Sequence, residues 1–218
     1  MTAYFTVNTI SEFFCFLISI LCLYRDKDKV WKGFILFLLL TCVVEVAGIH
    51  VGKRLHQPNF MIYNIFLVME CAVLNYFFYH LVKTTINLKK LLTGWFVFFL
   101  LFYFTELYVK HFKAYVSVSS TILSVEMILI SIYFYYLLLK EEKFRQLSKY
   151  APFWWVNGVI CFYFGGVACN IFFSYLLQQK LGVMPSARYI VFSILNVILY
   201  ACWSYSFICR YFQRTSSS

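Results

Sequence analysis

Seven apolar runs, each long enough for a helix to cross a hydrocarbon core, leave this chain almost no other way to fold. They cover residues 5–24, 33–51, 59–82, 91–109, 114–139, 153–178 and 188–210, and one crossing takes about 20 residues of helix. The stretches between them are short and charged: RDKDKVWK, KRLHQP, KTTINLKK, KHFK, KEEKFRQLSKYAP and QKLGVMPSAR. Lipid-spanning barrels show short alternating segments instead of continuous runs. The spacing therefore predicts an all-α bundle of seven transmembrane helices. Composition agrees, with 62% of the 218 residues hydrophobic and 13% charged, against roughly 45–50% and about 25% in a soluble domain. The chain reads as one polytopic domain over 1–218, multi-pass in a cell membrane, with the lipid bilayer as its first partner.

The basic residues give an orientation. Thirteen of the 19 Lys and Arg fall in the first, third and fifth loops and the tail, and six in the second, fourth and sixth loops. The positive-inside rule then predicts the N-terminus outside and Ser218 cytoplasmic. The net charge of +10 reads as topology and attraction to anionic lipid. No loop is large enough for a nucleic-acid-binding module, so no nucleic acid is expected. Thr2 to Ser11 lacks a positive n-region, so the first run is expected to be an uncleaved anchor. Pro152 suits the first turn of the sixth helix. Trp31, Trp154, Trp155, Tyr189 and Tyr211 lie near helix ends, the positions of interfacial aromatic belts. The eight cysteines all fall inside helices with no CxxC pair, and read as packing residues.

Five acidic residues interrupt this apolar chain within the helices: Glu12, Glu45, Glu70, Glu106 and Glu126. A charge at mid-bilayer costs about 2.5–3.5 kcal/mol on insertion scales, so it faces protein or water. Helical spacing groups Asn8, Glu12, Cys15 and Ser19 on helix one, Thr41 and Glu45 on helix two, and Ser119 with Glu126 on helix five. It likewise groups Tyr163, Gly166, Asn170 and Ser174 on helix six, and Ser193, Asn196, Tyr200 and Trp203 on helix seven. Counted from the helix ends, Glu12, Glu45, Asn64, Asn170 and Asn196 lie in the outer half, with Glu70 and Glu126 near the midplane. No Lys or Arg shares that depth. The pattern predicts an outward-facing cavity lined by Glu12, Glu45, Glu70, Glu126, Asn64, Asn170, Asn196 and Tyr200. Glu106, four residues before Lys110, reads as half of a surface pair. Gly48-x-x-x-Gly52, Gly165 and the Ser117, Thr121, Ser124, Ser131 stripe read as close helix packing.

Three function classes fit such a cavity. The first is a receptor or sensor-like bundle that binds a small polar or cationic ligand and acts through a cytoplasmic effector. The second is a proton-coupled or cation transporter using the same carboxylates, and the third an intramembrane enzyme. No HExxH or GxSxG occurs, and no lysine sits mid-helix in the seventh run to hold retinal, so no cofactor and no catalytic residue is assigned. His50, His56 and His111 could join Glu45 around a metal, but their spacing matches no ligand motif, and they read as interfacial polar residues.

Glu45, Tyr63-Asn64, Glu70, Glu126, Pro152-Phe153-Trp154, Asn157, Tyr163-Phe164-Gly165, Asn196 and Tyr200 together resemble an uncharacterised family of small seven-helix bacterial membrane proteins. The resemblance spans helices two to seven. It implies that fold and the bacterial inner membrane, and no activity.

Overall fold

The computed structural model describes residues 4, 6–83, 88–140, 146–178 and 185–215, with backbone alone for 173–178, 185 and 186. Ser174 and Ser218, singled out from the sequence, fall outside the described side chains and residues. Seven α-helices follow one another: α1 (Val7–Leu23), α2 (Lys29–Ile49), α3 (Phe60–Val82), α4 (Lys89–Val109), α5 (Ser117–Lys140), α6 (Ala151–Gln178) and α7 (Pro185–Thr215). No strand occurs among the described residues. Helices α2 to α7 are each long and apolar enough to cross a membrane. Helix α1 is apolar but has only 17 residues, about 26 Å of helix at ~1.5 Å per residue.

Local chemistry sets the boundaries. The Thr6 hydroxyl caps α1 by accepting from the Thr9 amide, 3.2 Å. The Asp28 carboxylate caps α2 by accepting from the Val30 amide, 2.9 Å. Past Ile49, α2 widens into a π turn over His50–Arg54, and Pro58 enforces the break before α3. The turn out of α2 passes through His56 at φ 49°, and the turn out of α4 through His111 and Phe112 at 49° and 60°. Two of the histidines considered as metal ligands therefore serve tight turns. The third, His50, bonds through Nδ1 to the Tyr4 hydroxyl at 2.9 Å.

Helices α1, α2, α3, α5, α6 and α7 pack in that order, and α7 returns to α1 to close a ring. Helix α4 lies outside it, against α3 and α5. The α4 sequence explains this, since its buried residues Leu92, Phe99, Tyr103 and Leu107 form one stripe at spacings of whole helical turns. Its other faces carry exposed Val97, Leu101, Phe104 and Tyr108. Exposed apolar side chains such as Leu21, Leu36, Ile65, Leu139 and Phe164 cover the other helices in the same way. The bundle presents grease outward and gathers polar groups within, as a lipid-facing protein does.

Inside the ring an aromatic layer joins the early turns of α2 and α6 to the later turns of α3 and α7. Phe34 packs edge-on against Phe77 at 4.6 Å and against Trp155 and Trp203 at 5.7 and 5.6 Å. The Trp155 and Trp203 rings stack at 5.7 Å with 3° between planes. Trp31 and Trp155, expected at the interface, are instead core residues at 2% and 0% exposure. The loop before Trp31 is tied down by the Asp26 and Asp28 ion pairs, and the turn before Trp155 by hydrogen bonds such as Ser206 to the Ala151 carbonyl. Gly158 lets α6 and α7 meet here, since a Cβ would crowd the Leu199 carbonyl and Cys202. Of the hydroxyl stripe on α5 only Ser131 is fully buried; Ser117 and Thr121 are exposed, and the Thr121, Ser124 and Ser131 hydroxyls donate back to carbonyls one turn earlier.

Candidate functional site

Between the aromatic layer and the end where α1, α3, α5 and α7 begin lies a cavity of about 220 Å³. Its polar wall comes from five helices. Helix α1 supplies Glu12, α2 Thr41 and Glu45, α3 Tyr63 and Glu70, α6 Tyr163, and α7 Asn196 and Tyr200. The rest of the lining is largely aromatic, with Phe66 and Phe162 at the sides, Phe37 and Trp203 at the floor and Tyr115 at the mouth. No Lys or Arg is among the lining residues. The cation whose charge reaches Glu45 is Lys53, on the π turn beyond it.

The three carboxylates are held differently. Glu70 Oε1 accepts from the Tyr163 hydroxyl at 2.7 Å, and Glu45 Oε2 from the Tyr63 hydroxyl at 3.2 Å. Gly48 makes the second bond possible, because a Cβ there would overlap the Tyr63 hydroxyl. Glu12 is 5% exposed and its Oε2 has no hydrogen-bond partner. Tyr200 is its polar neighbour and stands within electrostatic reach of both Glu12 and Glu70. A buried carboxylate oxygen without a donor is costly. Among the described lining residues Glu12 Oε2 is a buried acceptor without a partner, and the Trp203 indole N–H is a buried donor without one.

Five of the eight expected lining residues, Glu12, Glu45, Glu70, Asn196 and Tyr200, meet here. Three do not. Glu126 is buried at 4% exposure on the far side of α3, beside Cys71, Asn75 and Trp95. Asn64 is a splint for the α4–α5 turn: its Nδ2 donates to the Ala114 carbonyl and its Oδ1 accepts from the Val116 amide, both at 3.1 Å. Asn170 is exposed, and its Oδ1 accepts from Arg188 at 2.8 Å. Helical periodicity shows which residues share a face. It does not show which neighbour that face meets.

Glu106 is more than half of a surface pair. Its carboxylate accepts from Lys110 Nζ at 2.7 Å, from the Val118 and Ser119 amides at 3.0 and 2.8 Å, and from the Ser119 hydroxyl at 2.7 Å. A side chain of α4 thereby caps the free amides that begin α5.

At the opposite end of the bundle is a group that sequence reading passed over. Arg210 Nε donates to Asp26 Oδ2 at 3.0 Å, and its guanidinium lies 3.7 Å from Asp28. Arg214 approaches Asp26 at 3.8 Å, and His80 Nε2 meets Asp28 Oδ2 at 2.8 Å. The Arg210 guanidinium also covers Trp31, 5.4 Å from the ring centre. Burial pushes the Asp26 carboxyl up. The Arg210 bond, the Asp28 amide and the two arginine charges outweigh that and hold it below the usual aspartate range. The partners are 184 residues apart, so only the alternation of basic and acidic residues in RDKDK signalled a charged loop. Beyond the aromatic floor, these ion pairs close that end of the bundle.

No family model, curated protein or solved structure matches this chain. Among the described residues no three His, Cys, Asp or Glu side chains come together closely enough to share a metal ion. Every described cysteine is a free thiol.

Proposed function

We propose that this protein is a seven-helix membrane receptor or sensor-like bundle that binds a small cationic solute in the Glu12–Glu45–Glu70 cavity. In this reading the N-terminal end of α1 faces outward, the C-terminus is cytoplasmic, and a cytoplasmic effector protein reads the bound state. The observation that carries the proposal is the cavity wall: three carboxylates from three helices, no basic lining residue, and a buried Glu12 oxygen lacking a donor. Carboxylates inside a membrane domain mark ion or substrate sites, and an excess of acceptors selects a ligand that is positive and donates hydrogen bonds.

The test is thermal unfolding of purified protein with chloride salts of several cations and with neutral sugars at matched ionic strength. Saturable stabilisation by a cation, lost in Glu70→Gln, is expected. Equal response to every salt and every variant would contradict the proposal.

A transporter is the second reading, favoured by the two-part closure below the cavity. The Phe34–Trp155–Trp203 layer and then the Asp26–Arg210 cluster would form the closed side of an alternating-access cycle. Liposomes containing a pH dye and a cation gradient separate the two. Flux lost in Glu70→Gln selects transport, and binding without flux selects sensing.

A further inference from the structure

We propose that the ligand of the cavity is a small organic ammonium ion, paired with the carboxylates and enclosed by aromatic faces. The inference rests on the cation-binding reading above and names the class of cation.

A bare inorganic divalent ion collects six or more oxygens in one shell at about 2–2.6 Å. Here Glu12, Glu45 and Glu70 stand on three different helices, and among the described residues no three acidic, His or Cys side chains gather at metal-binding distance. Two of the three are already tethered to tyrosine hydroxyls, Glu45 to Tyr63 and Glu70 to Tyr163. The tethers hold those carboxylates to their own walls and keep them from closing on a point charge. Charge is spread over a chamber of about 220 Å³, where a water-sized centre needs only about 10–15 Å³. The space suits a body of several heavy atoms.

The second half of the wall supplies what an organic cation needs and a hydrated metal ion does not. Phe66, Phe162, Tyr163, Tyr200 and Trp203 line the same chamber. An ammonium group within about 6 Å of a ring face is attracted by the ring quadrupole, most strongly when desolvated. Acidic oxygens alone would attract any cation. Acidic oxygens among aromatic faces discriminate for one that carries alkyl groups. Within the acidic wall Glu12 marks where a donor or positive group fits, being nine-tenths buried and short of a partner at Oε2.

The experiment is thermal unfolding of the full chain in detergent at constant ionic strength, titrated with tetramethylammonium, ethylammonium, sodium, calcium and the neutral tert-butanol. The ammonium ions are expected to raise the melting temperature saturably and tert-butanol to leave it unchanged. Glu12→Gln should weaken the tetramethylammonium response about tenfold. Phe66→Leu, which removes a ring and keeps an apolar volume, should weaken it about fivefold, the loss of one desolvated cation–π face. Phe162→Leu provides the same test on α6 if Phe66→Leu does not fold.

Stabilisation by sodium or calcium that depends on Glu12, with no ammonium response, would overturn this inference and leave the cation-binding reading standing. No response to any cation would overturn both. An ammonium response indifferent to Glu12→Gln and to both ring variants would place the ion elsewhere and likewise overturn the inference.

Discussion

Tyr163 on α6 donates its hydroxyl to Glu70 Oε1 on α3 at 2.7 Å, joining helices that lie on opposite sides of α5 in the ring. The bond both fixes a wall of the cavity and orients its deepest carboxylate. Tyr163→Phe is expected to lower stability by about 1.5–3 kcal/mol, the range for a hydrogen bond to a charged group. It should also weaken cation binding. Glu70→Gln retains an acceptor for Tyr163 and should unfold close to wild type while losing the cation response. Melting curves of both variants, with and without tetramethylammonium, check the pair.

Glu106 should matter to the fold and not to the ligand. Its carboxylate receives four hydrogen bonds at the start of α5 and lies outside the cavity lining. Glu106→Ala is expected to cost about 2 kcal/mol, combining a lost helix cap with lost charged hydrogen bonds. Cation affinity per folded molecule should be unchanged. A neutral effect on melting temperature would show that the surface-pair reading was sufficient.

The Asp26 cluster carries a pH dependence with a definite sign. Because the folded carboxyl sits below its ordinary value, its contribution is fully present above about pH 4 and is lost as the pH falls through the folded value. Asp26→Asn should flatten the acid limb of the stability profile. Arg210→Gln leaves the buried carboxylate short of its main partner and should cost roughly 3 kcal/mol. A double-mutant cycle between these positions should return a coupling of about 1–3 kcal/mol.

Much of this architecture is legible in the chain before folding is considered. A continuous apolar run has few alternatives in lipid, so the helix positions follow from hydropathy, and the predicted runs differ from α1–α7 by a few residues at their ends. The fourth run, GWFVFFLLFYF, has almost no polar face, in keeping with the place of α4 against α3 and α5 outside the ring. The cavity is legible in part, because Glu12 and Glu45 sit on polar stripes that must turn inward and Glu70 is a carboxylate near mid-bilayer that must face protein or water. Glu126 obeys the same rule and is buried, yet it turns toward α4 and the back of α3. Asn64 and Glu106 bind backbone groups of the α4–α5 turn, and turn geometry leaves no mark in hydrophobic periodicity. Asp26 and Arg210 meet only because α7 closes the ring against α1, a consequence of the whole fold.

Gly48 offers a test through packing alone. The Tyr63 hydroxyl occupies the space a Cβ would take, so Gly48→Ala must push the ring away from Glu45. The expected cost is about 1–3 kcal/mol, the range for overpacking a filled site. Cation affinity should fall as well, since Glu45 loses its tether. A Cβ at Gly48 would also sit 2.7 Å from Tyr63 Cζ, so the double variant Gly48→Ala/Tyr63→Leu, which removes the whole ring, should recover stability without recovering the tether, separating crowding from hydrogen bonding.

The most direct measurement is a crystal structure of the protein soaked with tetramethylarsonium, an anomalously scattering mimic of tetramethylammonium. An acidic, aromatic-walled ligand site predicts one anomalous peak inside the chamber, between Glu12, Glu45 and Glu70 and against the Phe66 or Tyr200 ring, and no such peak in Glu12→Gln. A chamber without the ion, with arsenic found only on the lipid-facing or loop surface, would contradict it.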